Sequence, residues 1–404
     1  MRNAAIYLHR YVGLVLAAFL VIIGLTGSVI TFFYQLDEAV NPDLYKVEPV
    51  GESVPLLTLR EQLSQQEPHS HVYYVHFQER ADKSISFYIE PNIDPTTGEY
   101  FPLDYDEVFV NQYTGERLGE RMWGDFSLER KDLIAQLYFL HYSLVLPEEL
   151  GEGFMGIVAL VWFFDCFVGL YLTFPPRRKG EKWFSGFWQR WKTSWKIKPG
   201  ATRNRRIYDL HRAVSLWVWL MLLTVALSGF AINLPDTYER VANGFLPYTD
   251  IQHGNELEEP LLNPAVGWDD ALQYGQQHMS ALALSENFTV NRPTKLIYRR
   301  WLGNYFYCVH SSRDLVIYGE TCVGVNGSTG ELTGFEIPTG HSTGNTFTTW
   351  INALHMSMVF GLPWKIFMSI LGLTVVILSI TGVLIWWRKR LPASEQRRSY
   401  FSSN

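Results

Sequence analysis

Four apolar blocks along the chain alternate with polar segments. Each block has about 20 residues or more, enough to cross a hydrocarbon core about 30 Å thick at about 1.5 Å per helical residue. The blocks predict transmembrane helices in the following ranges: residues 1–35, 154–174, 207–234 and 364–387. Soluble proteins seldom contain four such runs, so the pattern predicts a multi-pass, α-helical integral membrane protein.

The polar segments between the blocks show shorter patterns. Residues 36–127 contain one polar helix candidate and short alternating runs separated by Pro, Asn and Gly turn signals, and residues 235–346 contain similar runs. Alternation with a period of two residues favours strands, so each segment predicts a small α+β domain. A helical pattern follows each segment, at residues 128–153 and 347–363, and we expect these two helices at the membrane interface.

Charge predicts the orientation in the membrane. The loop of residues 175–206 carries eleven Lys and Arg residues and one Glu, whereas residues 36–130 carry 7 basic and 19 acidic residues. Residues 235–345 are acidic too, with 6 basic and 13 acidic residues. Because an excess of Lys and Arg in short loops marks the cytoplasmic side, we expect this loop, both termini and the tail of residues 388–404 inside the cell. The cations of the loop alternate with tryptophans, which here favours contact with anionic lipid over nucleic acid.

The cysteines leave one question open. Cys166 lies within the second span, where it is expected to act as a small apolar residue. Cys308 and Cys322 lie at either end of an expected hairpin in the second outer segment. An oxidising compartment would allow a disulfide there, but the sequence does not show whether the two side chains face each other.

The two halves of the chain repeat one unit. Four motifs recur in the same order: Leu-His-Arg at 8–10 and 210–212, Asn-x-x-Thr-Gly-Glu at 111–116 and 326–331, Leu-His-x-Ser at 140–143 and 354–357, and the return-helix ends at 169–177 and 382–390. Each unit reads as helix, outer α+β domain, short His-bearing helix and return helix. We therefore expect a parallel repeat with a pseudo-two-fold axis along the membrane normal. A cleaved signal peptide is an alternative reading of the first block, but its length and its internal counterpart favour a retained helix.

The repeat contains two matched pairs of histidines. His9 and His211 begin equivalent helices at the inner face, and His141 and His355 lie on equivalent short helices at the outer face. A two-fold axis places the members of each pair on opposite sides of a central space, as the two axial ligands of a six-coordinate haem iron require. The pattern therefore predicts two haems. A single such histidine is more often a polar anchor, and Zn²⁺ is a weaker alternative because the clustered Cys and His spacing of zinc sites is missing.

Two further matched pairs are weaker candidates. Arg10 and Arg212 follow the inner histidines, where they are suited to pair with haem propionates. Anchoring at the positive inner face explains these arginines equally well. Met155 and Met368 begin the two return helices, and we expect them to pack rather than to bind haem.

At these residues the chain resembles the PepSY-associated transmembrane family, sometimes labelled iron-regulated membrane proteins. The resemblance covers essentially the whole length and depends on the Leu-His-Arg openings, the two Thr-Gly-Glu turns and the two Leu-His pairs. It implies a bacterial inner-membrane protein with two periplasmic PepSY-like domains and a link to iron uptake. Some members are similar to ferrisiderophore reductases that bind two b-type haems. The acidic insert of residues 93–107 departs from the family pattern, so the resemblance does not identify the surface that would bind substrate.

Together, these features predict an oxidoreductase that reduces a periplasmic ferric siderophore or another ferric chelate. The sequence contains no G-x-G-x-x-G or P-loop pattern, so we expect the electron donor to be a separate cytoplasmic protein or a membrane quinol. Two alternatives remain: a PepSY-type module that binds a periplasmic protein or regulates a peptidase, and a siderophore transporter. Asp165 is the only charged residue in the middle of a span, and its presence in one half only argues against the transporter.

Overall fold

The computed structural model describes residues 1–390 except 78–79, 125, 177–182, 250, 252–255 and 317–320. The predictions for residues 177–182 of the basic loop and for residues 391–404 of the tail lie outside the described residues. The α-helices are α1 (Arg2–Ile30), α2 (Phe33–Val40), α3 (Pro42–Tyr45), α4 (Leu56–Gln66), α5 (Leu133–Tyr142), α6 (Glu148–Thr173), α7 (Trp183–Trp191), α8 (Arg203–Asn233), α9 (Pro235–Asn243), α10 (Trp268–Ser285), α11 (Thr343–His355) and α12 (Gly361–Arg388). The strands are β1 (Ser70–His76), β2 (Ile85–Pro91), β3 (Glu107–Val110), β4 (Arg117–Arg121), β5 (Val290–Arg299), β6 (Asn304–Ser311), β7 (Thr321–Asn326) and β8 (Leu332–Glu336).

The chain divides into two compact units. The first, called the membrane unit, comprises Met1–Phe32, Leu137–Pro235 and the residues from Leu354 onward. The second, called the sheet unit, comprises Phe33–Gln136 and Asp236–Ala353.

Within the described residues, four helices are long and apolar enough to span a membrane: α1, α6, α8 and α12. Helices α6, α8 and α12 begin three to six residues before the predicted ranges, because the residues that precede each apolar run also adopt helical geometry, whereas α1 lies within its predicted range. The hydroxyl of Thr202, for example, accepts a hydrogen bond from the Arg205 backbone N–H at the start of α8. Residues 361–363, which we expected at the end of the interfacial segment 347–363, form the first turn of α12 instead. Proline fits there because the first turn of a helix leaves its N–H groups without intrahelical acceptors.

The four spans pack as a bundle. Helix α1 lies along α12 and helix α6 lies along α8, and α8 also packs on α12. Gly24 and Gly372 allow α1 and α12 to approach closely: a Cβ atom added to Gly24 would lie 2.7 Å from the Gly372 carbonyl oxygen. Such small residues let membrane helices make backbone contact, where lipid provides no hydrophobic force to drive the helices together.

One antiparallel sheet of eight strands forms the centre of the sheet unit. Its order is β4-β3-β2-β1-β5-β6-β7-β8, so the polar segments of residues 36–127 and 235–346 join where β1 pairs with β5. Tyr74 lies opposite Ile297 and Val75 lies opposite Leu296 at this junction. We expected two separate small domains, and the structure shows one continuous sheet with the strands of each segment on its own side.

Two features of the sheet unit add to the sequence analysis. Helix α10 was not expected, although its buried residues Ala271, Gly275, Met279 and Leu282 follow the spacing of one helical face. Cys308 and Cys322 lie directly opposite each other on β6 and β7, and they form a disulfide.

Candidate functional site: two facing pairs of histidines

The first pair of histidines lies near the starts of two spans. His9 is in the second turn of α1, and His211 is in the third turn of α8. Their ring centres are 6.3 Å apart, and the ring planes meet at 56°. Because α1 and α8 belong to different halves of the chain, the tertiary structure brings together two residues that are about two hundred positions apart in sequence.

The second pair lies at the ends of two shorter helices. His141 is the penultimate residue of α5 and His355 is the last residue of α11, and their ring centres are also 6.3 Å apart. Residues with positive φ follow both helices: Leu144 and Val145 after the first, and Ser357 after the second. Positive φ is energetically costly for residues other than glycine and tends to occur at functional sites. Each histidine lies within three residues of such a position, at the point where the chain leaves its helix.

The spacing of the rings fits a shared metal ion. An imidazole nitrogen binds a first-row metal ion at about 2.0 Å and lies about 1.1 Å from the centre of its ring, so two rings on opposite sides of one metal have centres about 6.2 Å apart. Both pairs match that distance at 6.3 Å. In the part of the chain that the structure describes, no group of three or more His, Cys, Asp or Glu side chains could hold a metal ion.

Hydroxyl groups orient the rings of the second pair. His141 Nδ1 lies 3.1 Å from Thr26 Oγ1, and His355 Nδ1 lies 2.7 Å from Ser228 Oγ. Each hydroxyl already donates its single proton to a carbonyl of its own helix, Thr26 to Ile22 and Ser228 to Thr224. A hydroxyl that donates to its own helix accepts from the neighbouring imidazole, so this geometry favours the tautomer with the proton on Nδ1.

The rings of the first pair are oriented in the same way by other acceptors. His211 Nδ1 lies 3.0 Å from the Leu378 carbonyl oxygen and 3.1 Å from Thr381 Oγ1, whose own proton goes to the Ile377 carbonyl. His9 Nδ1 donates to the carboxylate of Asp165, at 3.0 and 2.9 Å from its two oxygens.

The oxygen partners at Nδ1 therefore favour the Nδ1–H tautomer for all four imidazoles. None of the four Nε2 atoms makes a hydrogen bond to any of the described residues. A partner on one ring nitrogen fixes the tautomer and leaves the lone pair of the other nitrogen available, which is the usual arrangement of a metal-ligating histidine. The site thus contains four such histidines, arranged in two pairs with 6.3 Å between the ring centres of each pair.

A glycine lies against each of the four rings. An added Cβ atom at Gly27 would lie 2.9 Å from His141 Cε1, and one at Gly382 would lie 3.3 Å from His211 Cε1. The corresponding distances are 3.4 Å from Gly169 to His9 Cε1 and 3.9 Å from Gly229 to His355 Cε1. At Gly27 and Gly382 the absence of a side chain provides room for the ring, whereas an added Cβ atom at Gly169 or Gly229 would make an ordinary van der Waals contact.

A cavity of about 330 Å³ in the membrane unit contains the first pair. Its charged lining residues, apart from the histidines, are Arg2, Arg10, Asp165, Arg212 and Lys389. Arg212 donates to the buried carboxylate of Asp209 at 2.9 Å and to the Thr193 carbonyl, while the Arg10 guanidinium lies over the ring of Tyr7 at 5.3 Å. The cations give the cavity a positive end that suits the carboxylates of a bound anionic ligand.

The structure places every residue that the sequence singled out for this site. The four histidines form the two expected pairs, and both arginines line the cavity of the first pair. Met155 and Met368 are buried, as expected for packing.

Sequence reasoning missed the groups that orient the rings. Asp165 was noted only as an isolated charge in a span, although an ionisable residue at that depth usually has a functional partner. Thr26 and Ser228 each precede a glycine near the end of an equivalent span, and this shared pattern is the signal that would have identified them.

Comparison with known proteins places the whole site in one family region. A family model described as the PepSY-associated TM region matches residues 6–389 of the chain. The matched range includes all four histidines and the groups that orient them. A search of curated proteins finds no match.

Proposed function

This chain belongs to the family of PepSY-associated transmembrane proteins, and on that premise we propose that it is a haem-dependent ferric siderophore reductase. It is a multi-pass membrane protein, and the proposal adds two b-type haems, the inner one bound by His9 and His211 and the outer one by His141 and His355. The observation that carries the proposal is that the four histidines form two pairs with 6.3 Å between ring centres, and that each Nδ1 atom has an oxygen partner.

The residues present fit such a cofactor. Each bound haem would accept and release one electron at a time at its iron. The hydrogen bonds at Nδ1 hold each imidazole in the tautomer that leaves Nε2 available, and the glycines allow the rings to face each other. Arg10 and Arg212, at the cavity of the inner pair, supply charge-assisted donors for haem propionates.

The orientation follows from charge. With the basic loop and both termini in the cytoplasm of a bacterium, the His9–His211 pair lies near the inner face and the His141–His355 pair near the periplasmic face. Electrons enter from a cytoplasmic protein or a membrane quinol and leave at the outer face. The disulfide between Cys308 and Cys322 agrees with an oxidising compartment around the sheet unit.

The substrate is a ferric siderophore or another ferric chelate. One electron converts Fe³⁺ to Fe²⁺, and the donor loses one electron for each iron reduced. Siderophores hold Fe³⁺ with hard oxygen ligands, and the lower charge of Fe²⁺ weakens those bonds, so reduction releases the iron.

A reduced-minus-oxidised spectrum of the purified protein tests the proposal. We expect two b-type haems in each chain and expect His141→Ala to remove the outer centre while the inner one is retained. His69→Ala is a matched control, because His69 is exposed in the sheet unit. A wild-type protein without haem would contradict the proposal and favour the protein-binding module or the transporter. Loss of both centres in the His141 variant would show that the proposed assignment of the histidines to two haems is wrong.

Activity is a second test. In vesicles that contain the protein, reductant on the cytoplasmic side should reduce a ferric siderophore on the other side, and a ferrous-specific chelator would report the released iron. The His141→Ala variant should lose this activity, and His69→Ala should retain it. Equal rates in the two variants would contradict a role for the outer histidines in electron transfer.

A further inference from the structure

The four histidines differ in the charge of the group that accepts their Nδ1 proton. His141 and His355 donate to neutral hydroxyls, and His211 donates to a backbone carbonyl and a neutral hydroxyl. His9 alone among them donates to a carboxylate, that of Asp165, which is 8% exposed within a span. One of the two pairs thus contains a negative charge directly behind a ring, and the other does not.

The asymmetry comes from one side chain. Asp165 lies four residues before Gly169, the glycine that packs against His9. In the second half of the chain, the residue four positions before Gly382 is Leu378, which offers His211 only its backbone carbonyl. The repeat is otherwise kept here, so Asp165 is a local departure from it.

A carboxylate at this position changes the donor strength of the ring. It draws the Nδ1 proton towards itself, so electron density at Nε2 rises and the imidazole becomes a more basic ligand. Its negative charge also lies in surroundings of low dielectric constant, where electrostatic interactions are strong. Both effects stabilise a ferric iron on that ring more than a ferrous iron, because the ferric state carries one more positive charge.

We propose that Asp165 lowers the reduction potential of the His9–His211 centre below that of the His141–His355 centre. This inference rests on the proposed function, since it requires a haem at each pair. Asp165 is then a positioning residue that sets the direction of electron flow, because transfer from the first centre to the second releases free energy. The cations of the same cavity also influence the reduction potential of this centre. A substitution of Asp165 leaves these cations in place, so the measured shift reports on Asp165.

Redox titration of the purified, haem-loaded protein tests this inference through the potentials, without turnover. The His141→Ala protein, which keeps only the inner centre, assigns the two midpoints. Asp165→Asn keeps an oxygen acceptor without the charge, and Asp165→Leu reproduces the other half of the repeat. We expect both substitutions to raise the inner midpoint by the equivalent of at least a tenfold change in the ferric-to-ferrous ratio, about 59 mV for one electron. The outer midpoint should stay unchanged.

Two further variants separate charge from packing. Asp165→Glu keeps the charge and should keep a low inner midpoint. Thr381→Val removes a neutral acceptor from His211 and leaves the Leu378 carbonyl in place, so it should shift the midpoint less than Asp165→Asn does.

The outcomes distinguish this inference from the proposed function. A wild-type inner midpoint equal to or above the outer one would overturn the inference, even if an Asp165 variant failed to fold. Unchanged midpoints in Asp165→Asn with both haems bound would also overturn it and leave the reductase proposal intact. A wild-type protein that binds no haem would instead overturn the proposed function.

Discussion

Replacing Gly27 by alanine should selectively damage the proposed outer haem site at His141 and His355. The added Cβ atom would lie 2.9 Å from Cε1 of His141, whereas ordinary contacts of this kind begin near 3.4 Å. The ring would have to retreat by about 0.5 Å, which is the tolerance within which a functional site must hold its ligands. A close-packed interior resists such a shift at a cost of about 1–3 kcal/mol, so we expect the affinity for the outer haem to fall by about 10- to 100-fold.

Haem content and spectra of the purified Gly27→Ala protein measure this effect. The outer centre should be lost or spectrally altered, and the inner centre should be unchanged. Gly153→Ala is the matched control, because it also adds a methyl group to a span and an added Cβ there meets nothing within 4 Å. Gly382→Ala, at 3.3 Å from His211, should have a smaller effect, and on the other centre. Full occupancy and an unaltered outer spectrum in Gly27→Ala would refute the reasoning.

Two predictions concern the sheet unit. Replacing both Cys308 and Cys322 by alanine should lower the free energy of unfolding by about 3 kcal/mol, as for other disulfide-closed loops of this size, and equal urea midpoints with and without the disulfide would contradict this. Burial, and then the neighbouring Glu107 carboxylate, raise the pKa of Asp106 to about 7, so the folded state binds its proton more tightly than the unfolded state does. Stability should therefore fall as the pH rises from about 4 towards 7, and this fall should be smaller in Asp106→Asn. Melting temperatures across that range measure it, and identical profiles of the two proteins would exclude the effect.

Much of the fold can be predicted from the chain because the signals are local. The length of an apolar run and the spacing of its residues belong to the segment itself, so the spans were found with errors only at their ends. The missed helix α10 shows the limit of this approach, since two of its four buried residues, Ala271 and Gly275, are small and give a weak apolar signal. The pairing of β1 with β5 could not be predicted from the sequence either. Strands with the same alternation offer similar edges for pairing, and the partner of β1 lies about 220 residues away.

By itself the sequence determined that this is a four-span membrane protein and that His9, His141, His211 and His355 form two matched pairs. The matched motifs of the two halves made this prediction possible, because equivalent positions that lie near a common two-fold axis would face each other. Only the tertiary structure showed which ring nitrogen has an oxygen partner and which group supplies that oxygen. Those properties depend on oxygen atoms of neighbouring helices within about 3 Å of each ring, and no pattern within one segment specifies such a distance between two segments.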